Sequence, residues 1–396
     1  MLDSLFTWLL LPVGLAFGWA LGRKSAAGQV PPEPQRTIQP EQLGGLLTQL
    51  ASDDPDQAIA ALTQVAEIDE STVELHMTLG NLFRKRGEMD RALRIHEALL
   101  ARPGLDADTR AQVRRELAYD FLRAGVMDHA EEQFEQLVSD GYYVGESLDQ
   151  IRIIFEQGRD WEHAIAAARR LEGAQGESRR ALIAQYACEM ADEALRAKDV
   201  EQALRQVRRA IDEDTDCVRA YLQLGAIEEG RERYAAAAQA YLRAFQLDQR
   251  FLPDVIEPLF RCSQKTGSEE GYLQFLADAK EISSSSLPYV AEARLLADEG
   301  MDPLDRLAQG LEVRPSRAVL AEFLEVLEKQ PGVIAAGLDK PAASLRQALR
   351  RLMESTPRYQ CSNCGFSPRQ QFWQCPSCKR WGSITPIDEA MRLPGA

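Results

Sequence analysis

Histidine is scarce in this sequence, and the common catalytic motifs are absent from it. Its 396 residues include only four histidines, His76, His96, His129 and His163. No two of them share a helical segment at a metal-ligating spacing, and the chain carries neither a nucleophile motif nor a glycine-rich phosphate loop. These absences predict that the chain is not an enzyme.

Acidic residues outnumber basic ones over the middle of the chain. The formal net charge is −15 at pH 7, although residues 1–39 and residues 356–396 are both net positive. The central region is therefore even more acidic than the total, which disfavours nonspecific binding of nucleic acid or anionic lipid by that region. This argument does not exclude binding of nucleic acid or anionic lipid by the basic C-terminal end.

Cysteine is sparse outside the C-terminal end. Cys188, Cys217 and Cys262 stand alone in helical segments, where a buried cysteine acts as a small hydrophobic residue. Nothing in their spacing indicates a disulfide framework, so the pattern fits a reducing compartment.

The N-terminus carries an apolar run, Leu5–Gly22, that would be about 27 Å long as a helix and could cross a membrane. Asp3 precedes the run and two basic residues follow it, the reverse of a secretory signal, which places the rest of the chain in the cytoplasm. We predict a transmembrane anchor over residues 1–22, with a cleaved signal or a buried helix as alternatives. A proline-rich cytoplasmic tether over residues 23–39 follows it.

A repeated pattern organises the centre of the chain. The stretch LGNLFRKRGEMDRA, Leu79–Ala92, is typical of two helices joined by a glycine turn, with Gly80 where the helices approach closely. Leu46 and Arg152 replace this small residue in two other copies. The alanine of the second helix recurs about every 34 to 39 residues, at Ala58, Ala92, Ala130, Ala164, Ala203 and Ala237.

This period resembles the tetratricopeptide repeat and predicts an all-α fold. We expect six repeats over residues 40–250 in a right-handed superhelix, and further divergent helical repeats over residues 251–355. First helices of such arrays line a concave surface that binds extended peptides or helices. On the second copy this predicts a partner-binding groove, although a solvated helix face explains the same residues, which are Met77, Asn81, Arg84 and Lys85.

Four cysteines near the end form two C-x2-C turns separated by ten residues. Two such turns complete a tetrahedral site of four thiolates, namely Cys361, Cys364, Cys375 and Cys378. Redox disulfides explain two matched turns poorly. Four protein ligands leave no open coordination position, so the predicted ion is structural, and iron and zinc both fit.

This metal-binding domain spans residues 356–385, with a tail over residues 386–396. So small a segment cannot fold by apolar burial alone, so the metal supplies much of its stability. We predict that its aromatic residues form a small core rather than a surface for stacking bases; they are Tyr359, Phe366, Phe372, Trp373 and Trp381.

The same domain leaves a nucleic-acid-binding function as one alternative. It has no acidic residue between Pro357 and Ile387. Its basic residues are Arg358, Arg369, Lys379 and Arg380. Salt-sensitive RNA binding would support this alternative.

The anchor, the repeats and the pattern C-x2-C-G-F…W-x-C-P-x-C-x2-W together resemble the lipopolysaccharide assembly protein B (LapB) family. The resemblance is sharpest over Leu79–Leu100 and Tyr359–Trp381. It implies an adaptor of the Gram-negative inner membrane that brings the lipid A pathway deacetylase LpxC to the membrane protease FtsH, and so limits lipopolysaccharide synthesis. It also implies a rubredoxin-like site of the iron type, held by the same four cysteines.

A scaffold that assembles lipopolysaccharide biosynthesis or transport enzymes without directing proteolysis is the alternative function. Both functions need the same anchor, groove and metal-binding end, so sequence does not separate them. The sequence also leaves the oligomeric state open.

Overall fold

The computed structural model describes residues 73–335 and 337–387. The predicted anchor, the tether, the first repeat with Leu46 and Ala58, and residues 388–396 lie outside this range. Among the described residues, no helix is both long enough and apolar enough to cross a membrane.

The chain divides into two compact units between Gln133 and Phe134. The described part of the first unit contains α1 (Val73–Arg86), α2 (Met89–Leu100) and α3 (Ala107–Ala124), and α4 (Met127–Ser139) crosses the boundary. The second unit continues with α5 (Val144–Gln157), α6 (Trp161–Gln175), α7 (Arg180–Arg196), α8 (Val200–Glu213), α9 (Val218–Gly230), α10 (Tyr234–Leu247), a 3-10 helix (Gln249–Phe251), α11 (Leu252–Thr266), α12 (Glu269–Ile282), α13 (Leu287–Asp298), α14 (Leu304–Val313), α15 (Arg317–Leu327), α16 (Pro331–Ala335) and α17 (Asp339–Ser355).

Consecutive helices pack as pairs because small residues let them approach closely. The alanines at the start of the second helices are fully buried, from Ala92 to Ala237. A Cβ atom added to Gly225 on α9 would lie 2.6 Å from the ring of Tyr241 on α10. A glycine is therefore needed at this crossing, and Gly80 has the same role against His96 on α2.

The turn inside each pair keeps one backbone conformation even where the sequence varies. Gly87 and Gly125, five residues before a buried alanine, have positive φ angles of 82° and 79°. The equivalent residues Arg159, Lys198 and Glu232 also have positive φ angles, of 58°, 62° and 61°. The repeat thus imposes a left-handed residue that usually favours glycine.

The chain ends in a small domain built on two short strands. β1 (Tyr359–Cys361) and β2 (Ile384–Pro386) pair in antiparallel register, with Cys361 opposite Ile384. The sequence predicted only turns and a metal site here, so this two-stranded ribbon is an addition to the predicted fold. We refer to residues 359–386 as the metal module.

Candidate metal centre

The two cysteine turns of the metal module have matching backbone geometry. In the first, the N–H of Gly365 donates to the carbonyl of Cys361 at 3.0 Å, and Gly365 has a φ angle of 77°. In the second, the N–H of Lys379 donates to the carbonyl of Cys375 at 2.8 Å, and Lys379 has a φ angle of 60°. Each turn therefore presents its two thiols to the same side.

The separations between the four sulfur atoms match the edge lengths of a tetrahedral metal site. All four lie within 4.8 Å of one another. The Cys361 and Cys378 sulfurs are 3.8 Å apart, and those of Cys364 and Cys375 are 3.7 Å apart. A metal–sulfur bond of about 2.3 Å in tetrahedral geometry gives a sulfur–sulfur separation of about 3.8 Å. The residues present thus fit one ion of the size of zinc or iron.

The surroundings of the sulfurs differ in how well they stabilise a thiolate. Burial alone would raise the pKa of Cys361, but donors that include the Ser383 hydroxyl and the amide of Cys364 lower it to about 6. The pKa of Cys378 is also lowered, chiefly by the backbone N–H of Arg380. Burial instead raises the pKa of Cys375 to about 11. Metal binding must therefore displace at least one proton from the site.

The metal module packs against the second unit's repeats through two tryptophans. The Trp373 ring stacks on Phe251, with centroids 5.7 Å apart and planes 10° from parallel. The guanidinium of Arg219, itself 2% exposed, lies 5.5 Å from the Trp373 ring centroid. Trp381 meets Tyr186 edge-on at 5.7 Å and Trp161 at 6.3 Å.

Polar contacts complete this contact surface. Trp381 Nε1 donates to Glu156 at 3.2 Å, and Gln374 Nε2 donates to the other carboxylate oxygen at 2.5 Å. The hydroxyl of Tyr359 donates to Asp254 at 3.4 Å, and burial raises the pKa of that aspartate. The partners on the repeats lie on the first helices α5 (Glu156), α7 (Tyr186), α9 (Arg219) and α11 (Asp254), together with Trp161 on α6 and Phe251 in the 3-10 helix.

The predicted aromatic core of the metal module is therefore wrong in part. Tyr359 and Phe372 do pack against the buried cysteines. Trp373 and Trp381 face the repeats instead, and Phe366 is 38% exposed. The prediction failed because the contacts that cover the tryptophans come from residues more than a hundred positions away in the chain.

Comparison with known proteins identifies the family. Lipopolysaccharide assembly protein B from Escherichia coli (strain K12) is 30% identical to this chain over 396 residues, and the alignment covers 98% of each. The chain belongs to the lipopolysaccharide assembly protein B family. The Haemophilus influenzae protein of the same name is 28% identical and is also covered over 98% of each chain.

Family models match the two kinds of structure separately. A tetratricopeptide repeat model matches residues 47–107 and 188–249, which confirms the predicted repeat fold. A rubredoxin metal binding domain model matches residues 359–386. Among solved structures, a tetratricopeptide repeat protein from Parabacteroides merdae is 12% identical, covers 69% of this chain and 99% of its own, and has a TM-score of 0.30.

The four predicted groove residues of α1 occupy different environments. Met77 is buried in a cluster with Leu99. Arg84 donates to Asp120 at 2.9 Å, pairs with Glu116 and donates to Asn81 at 2.6 Å, so its guanidinium is already engaged within the first unit. Lys85 is exposed. Whether this set also binds a partner stays a prediction.

Sequence reasoning missed the polar residues that receive the metal module. Arg152 on α5 bonds to the hydroxyl of Tyr186 at 2.7 Å and to Glu156 at 2.8 Å. Tyr186 in turn donates to Glu156, the residue that accepts from Trp381. The signal was present in the sequence, because Arg152 stands where other repeats carry a small residue.

Proposed function

We propose that this chain is an inner-membrane adaptor of lipopolysaccharide assembly that presents the deacetylase LpxC to the protease FtsH. The observation that carries the proposal is the alignment with lipopolysaccharide assembly protein B over 98% of both chains, since it includes repeats and metal module together. A helical repeat array provides binding area for proteins. Holding client and protease on one surface raises the local concentration of the client.

The predicted anchor gives the adaptor its location. Residues 1–22 would hold the chain in the inner membrane, with everything after them in the cytoplasm. The tether at residues 23–39 would keep the repeats close to a membrane protease. Replacing Leu10 and Leu15 by Asp would release the protein into the soluble fraction if this assignment is right, since charge is costly inside a bilayer.

The metal would serve this function as a structural element. We propose that Cys361, Cys364, Cys375 and Cys378 bind one iron ion, as in rubredoxin-like sites, and zinc fits the same donors. When bound, the ion supplies cross-links between the two cysteine turns. Metal analysis of protein purified without added metal would distinguish the two ions.

The groove on α1 is the proposed partner site in the first unit. Since Arg84 is engaged by Glu116 and Asp120, removing it would disturb the fold as well as any partner. Lys85→Glu is the cleaner variant, because Lys85 is exposed. Weaker capture of LpxC by Lys85→Glu would support the groove, and unchanged capture would count against it.

The first experiment is to measure the half-life of LpxC in cells depleted of this protein. The depleted cells would be complemented with the wild type, with Cys361→Ser/Cys364→Ser, or with Cys262→Ser. Cys262 is a buried cysteine outside the metal module and provides the matched control. We expect LpxC to be stabilised by depletion and by the double variant, and to be degraded normally with the control.

The contrary result has a defined meaning. An unchanged LpxC half-life together with altered lipopolysaccharide assembly would contradict the adaptor mechanism and favour the scaffold. Normal turnover in the double variant alone would show that the metal module takes no part.

A further inference from the structure

The metal module has basic residues that no carboxylate of the described chain neutralises. Arg358, Arg369, Lys379 and Arg380 are all exposed, and none forms an ion pair within residues 73–335 and 337–387. Some exposed arginines of the repeats do have partners, as Arg294 has at 2.8 Å in Glu257. Exposed basic residues without an ion pair also occur in the described repeats, but residues 358–386 combine four of them with no acidic residue at all.

Hydrogen bonds place Arg380 and Arg358 beside one exposed loop, while Arg369, which follows that loop, donates to the carbonyl of Ser355 at 3.4 Å. Arg380 donates to Asn363 Oδ1 at 2.9 Å, which ties it to the first cysteine turn. The backbone N–H of Arg358 donates at 3.2 Å to the carbonyl of the residue before Arg369. The loop over residues 362–367 is exposed throughout. We call this loop together with Arg358, Arg369, Lys379 and Arg380 the basic strip.

The basic strip also contains one apolar contact. Phe366, in the exposed loop, is 38% exposed. The two tryptophans of the module face the repeats and are not available on this side. The strip therefore combines separated positive charges with one isolated aromatic ring.

We propose that the basic strip binds an acidic segment of a partner protein, with Phe366 contacting an apolar side chain of that segment. The proposal rests on the proposed adaptor function only in expecting a protein partner. Charge complementarity selects an acidic ligand, and the exposed ring adds an apolar contact.

A short protein segment fits this surface better than nucleic acid or a membrane. Single-stranded nucleic acid is bound by several aromatic rings on which successive bases stack, and the strip offers one. Nucleic acid and an anionic bilayer are also extended polyanions, which the acidic repeats repel. A segment of a few residues can reach the strip without covering the repeats.

The negative charge of the metal–thiolate site explains only part of the positive charge on the metal module. A divalent ion with four thiolates has a net charge of about −2, and Lys379 and Arg380 directly follow Cys378. Arg358 and Arg369 are separated from the nearest ligand by more residues than Lys379 and Arg380 are, so the metal site explains their charge less directly. They are accordingly the residues to change first.

The test is a binding measurement on the purified full-length, metal-loaded protein. The probe is a fluorescein-labelled peptide of ten glutamates and two leucines, titrated by fluorescence anisotropy. Arg358→Gln/Arg369→Gln is expected to weaken binding roughly tenfold, within the range for exposed ion pairs. Arg208→Gln/Lys265→Gln removes the same charge from exposed, unpaired residues of the repeats and is expected to change affinity less than about twofold.

Two further measurements make the outcome decisive. Phe366→Ser is expected to weaken peptide binding without changing the charge of the protein. The metal content of every variant must equal that of the wild type. An equal loss of peptide affinity in the Arg358→Gln/Arg369→Gln variant and in the Arg208→Gln/Lys265→Gln control would overturn the proposal. Tighter binding of a twelve-nucleotide RNA or of phosphatidylglycerol vesicles, lost in the same variant, would overturn it in favour of those ligands. None of these results depends on LpxC turnover, so the adaptor function is tested separately.

Discussion

Trp381→Ala is the substitution that best isolates the packing of the metal module on the repeats. The ring meets Tyr186 and Trp161 edge-on, and Nε1 donates to Glu156 at 3.2 Å. Each aromatic pair contributes roughly 0.5–1.5 kcal/mol, and the loss of a large side chain adds to this. Because Trp381 is only partly buried, we expect a cost of about 3 kcal/mol, the low end for this kind of substitution.

The cost is expected to appear in the metal module rather than in the helices. A domain this small has little core of its own and depends on the metal and on the repeats. Losing about 3 kcal/mol would raise the population of its opened state about a hundredfold. Backbone hydrogen exchange measures this directly, for example at the N–H of Ser362, which donates to Ser383, and at the N–H of Cys375, which donates to Arg380.

Phe366→Ala is the matched control for this experiment. It removes an aromatic side chain from the same module, but from the face that points to solvent. Its exchange rates are expected to stay within about twofold of the wild type, because exposed substitutions rarely exceed about 0.5 kcal/mol. Equal acceleration in both variants, or unchanged exchange with Trp381→Ala, would refute the assignment of stability to this contact.

A double-mutant cycle separates the ring contacts from the hydrogen bond. Glu156 also binds Arg152 at 2.8 Å and Gln374 at 2.5 Å, so its long bond to Trp381 is one of several. Combining Trp381→Ala with Glu156→Gln is expected to give a coupling energy below about 1 kcal/mol. A larger coupling would show that the hydrogen bond, and not the edge-on ring contacts, dominates.

Three further predictions follow from the packing and the metal site. Removing the metal with a strong chelator is expected to shift the fluorescence of the module's tryptophans to the red while far-ultraviolet circular dichroism hardly changes, because the helices do not need the ion. Gly225→Ala is expected to cost about 1–3 kcal/mol in urea unfolding because its Cβ would strike Tyr241, whereas Gly173→Ala, with nothing within 4 Å, is expected to gain up to about 1 kcal/mol. Asp254→Asn is expected to stabilise the protein near pH 7, where the buried carboxylate is charged; the gain should vanish in unfolding titrations as the pH falls through its raised pKa towards 3.8.

The repeat fold was readable from the sequence because its signals are local. The small residues at Gly80 and Gly225 and the buried alanines recur at a fixed spacing, and the structure uses them for close helix crossings. The left-handed turn was less visible. Arg159 and Lys198 adopt it without being glycine, since the packing of the flanking helices fixes the turn and outweighs a local preference of about 1–2 kcal/mol.

The contact between metal module and repeats was not readable in this way. Glu156 and Trp381 are 225 residues apart in the chain, and no periodicity links them. Tryptophans of the metal module can be buried either in the core of that small domain or against another apolar surface. Their hydrophobicity alone does not indicate which of the two occurs. Arg152 was the local indication, because a largely covered charge at a small-residue position requires partners that the repeat pattern does not supply.

The metal module has two faces, each with its own contact, and both contacts depend on the bound metal. One face carries Trp373 and Trp381 and packs on the repeats, while the other carries Phe366 and the exposed arginines. Both faces are held in place by the same two cysteine turns, so neither persists once those turns come apart. A variant that abolishes metal binding therefore cannot tell the two contacts apart. Trp381→Ala weakens only the first and Arg358→Gln/Arg369→Gln only the second, so comparing the LpxC half-lives in the two variants shows which contact the proposed adaptor needs.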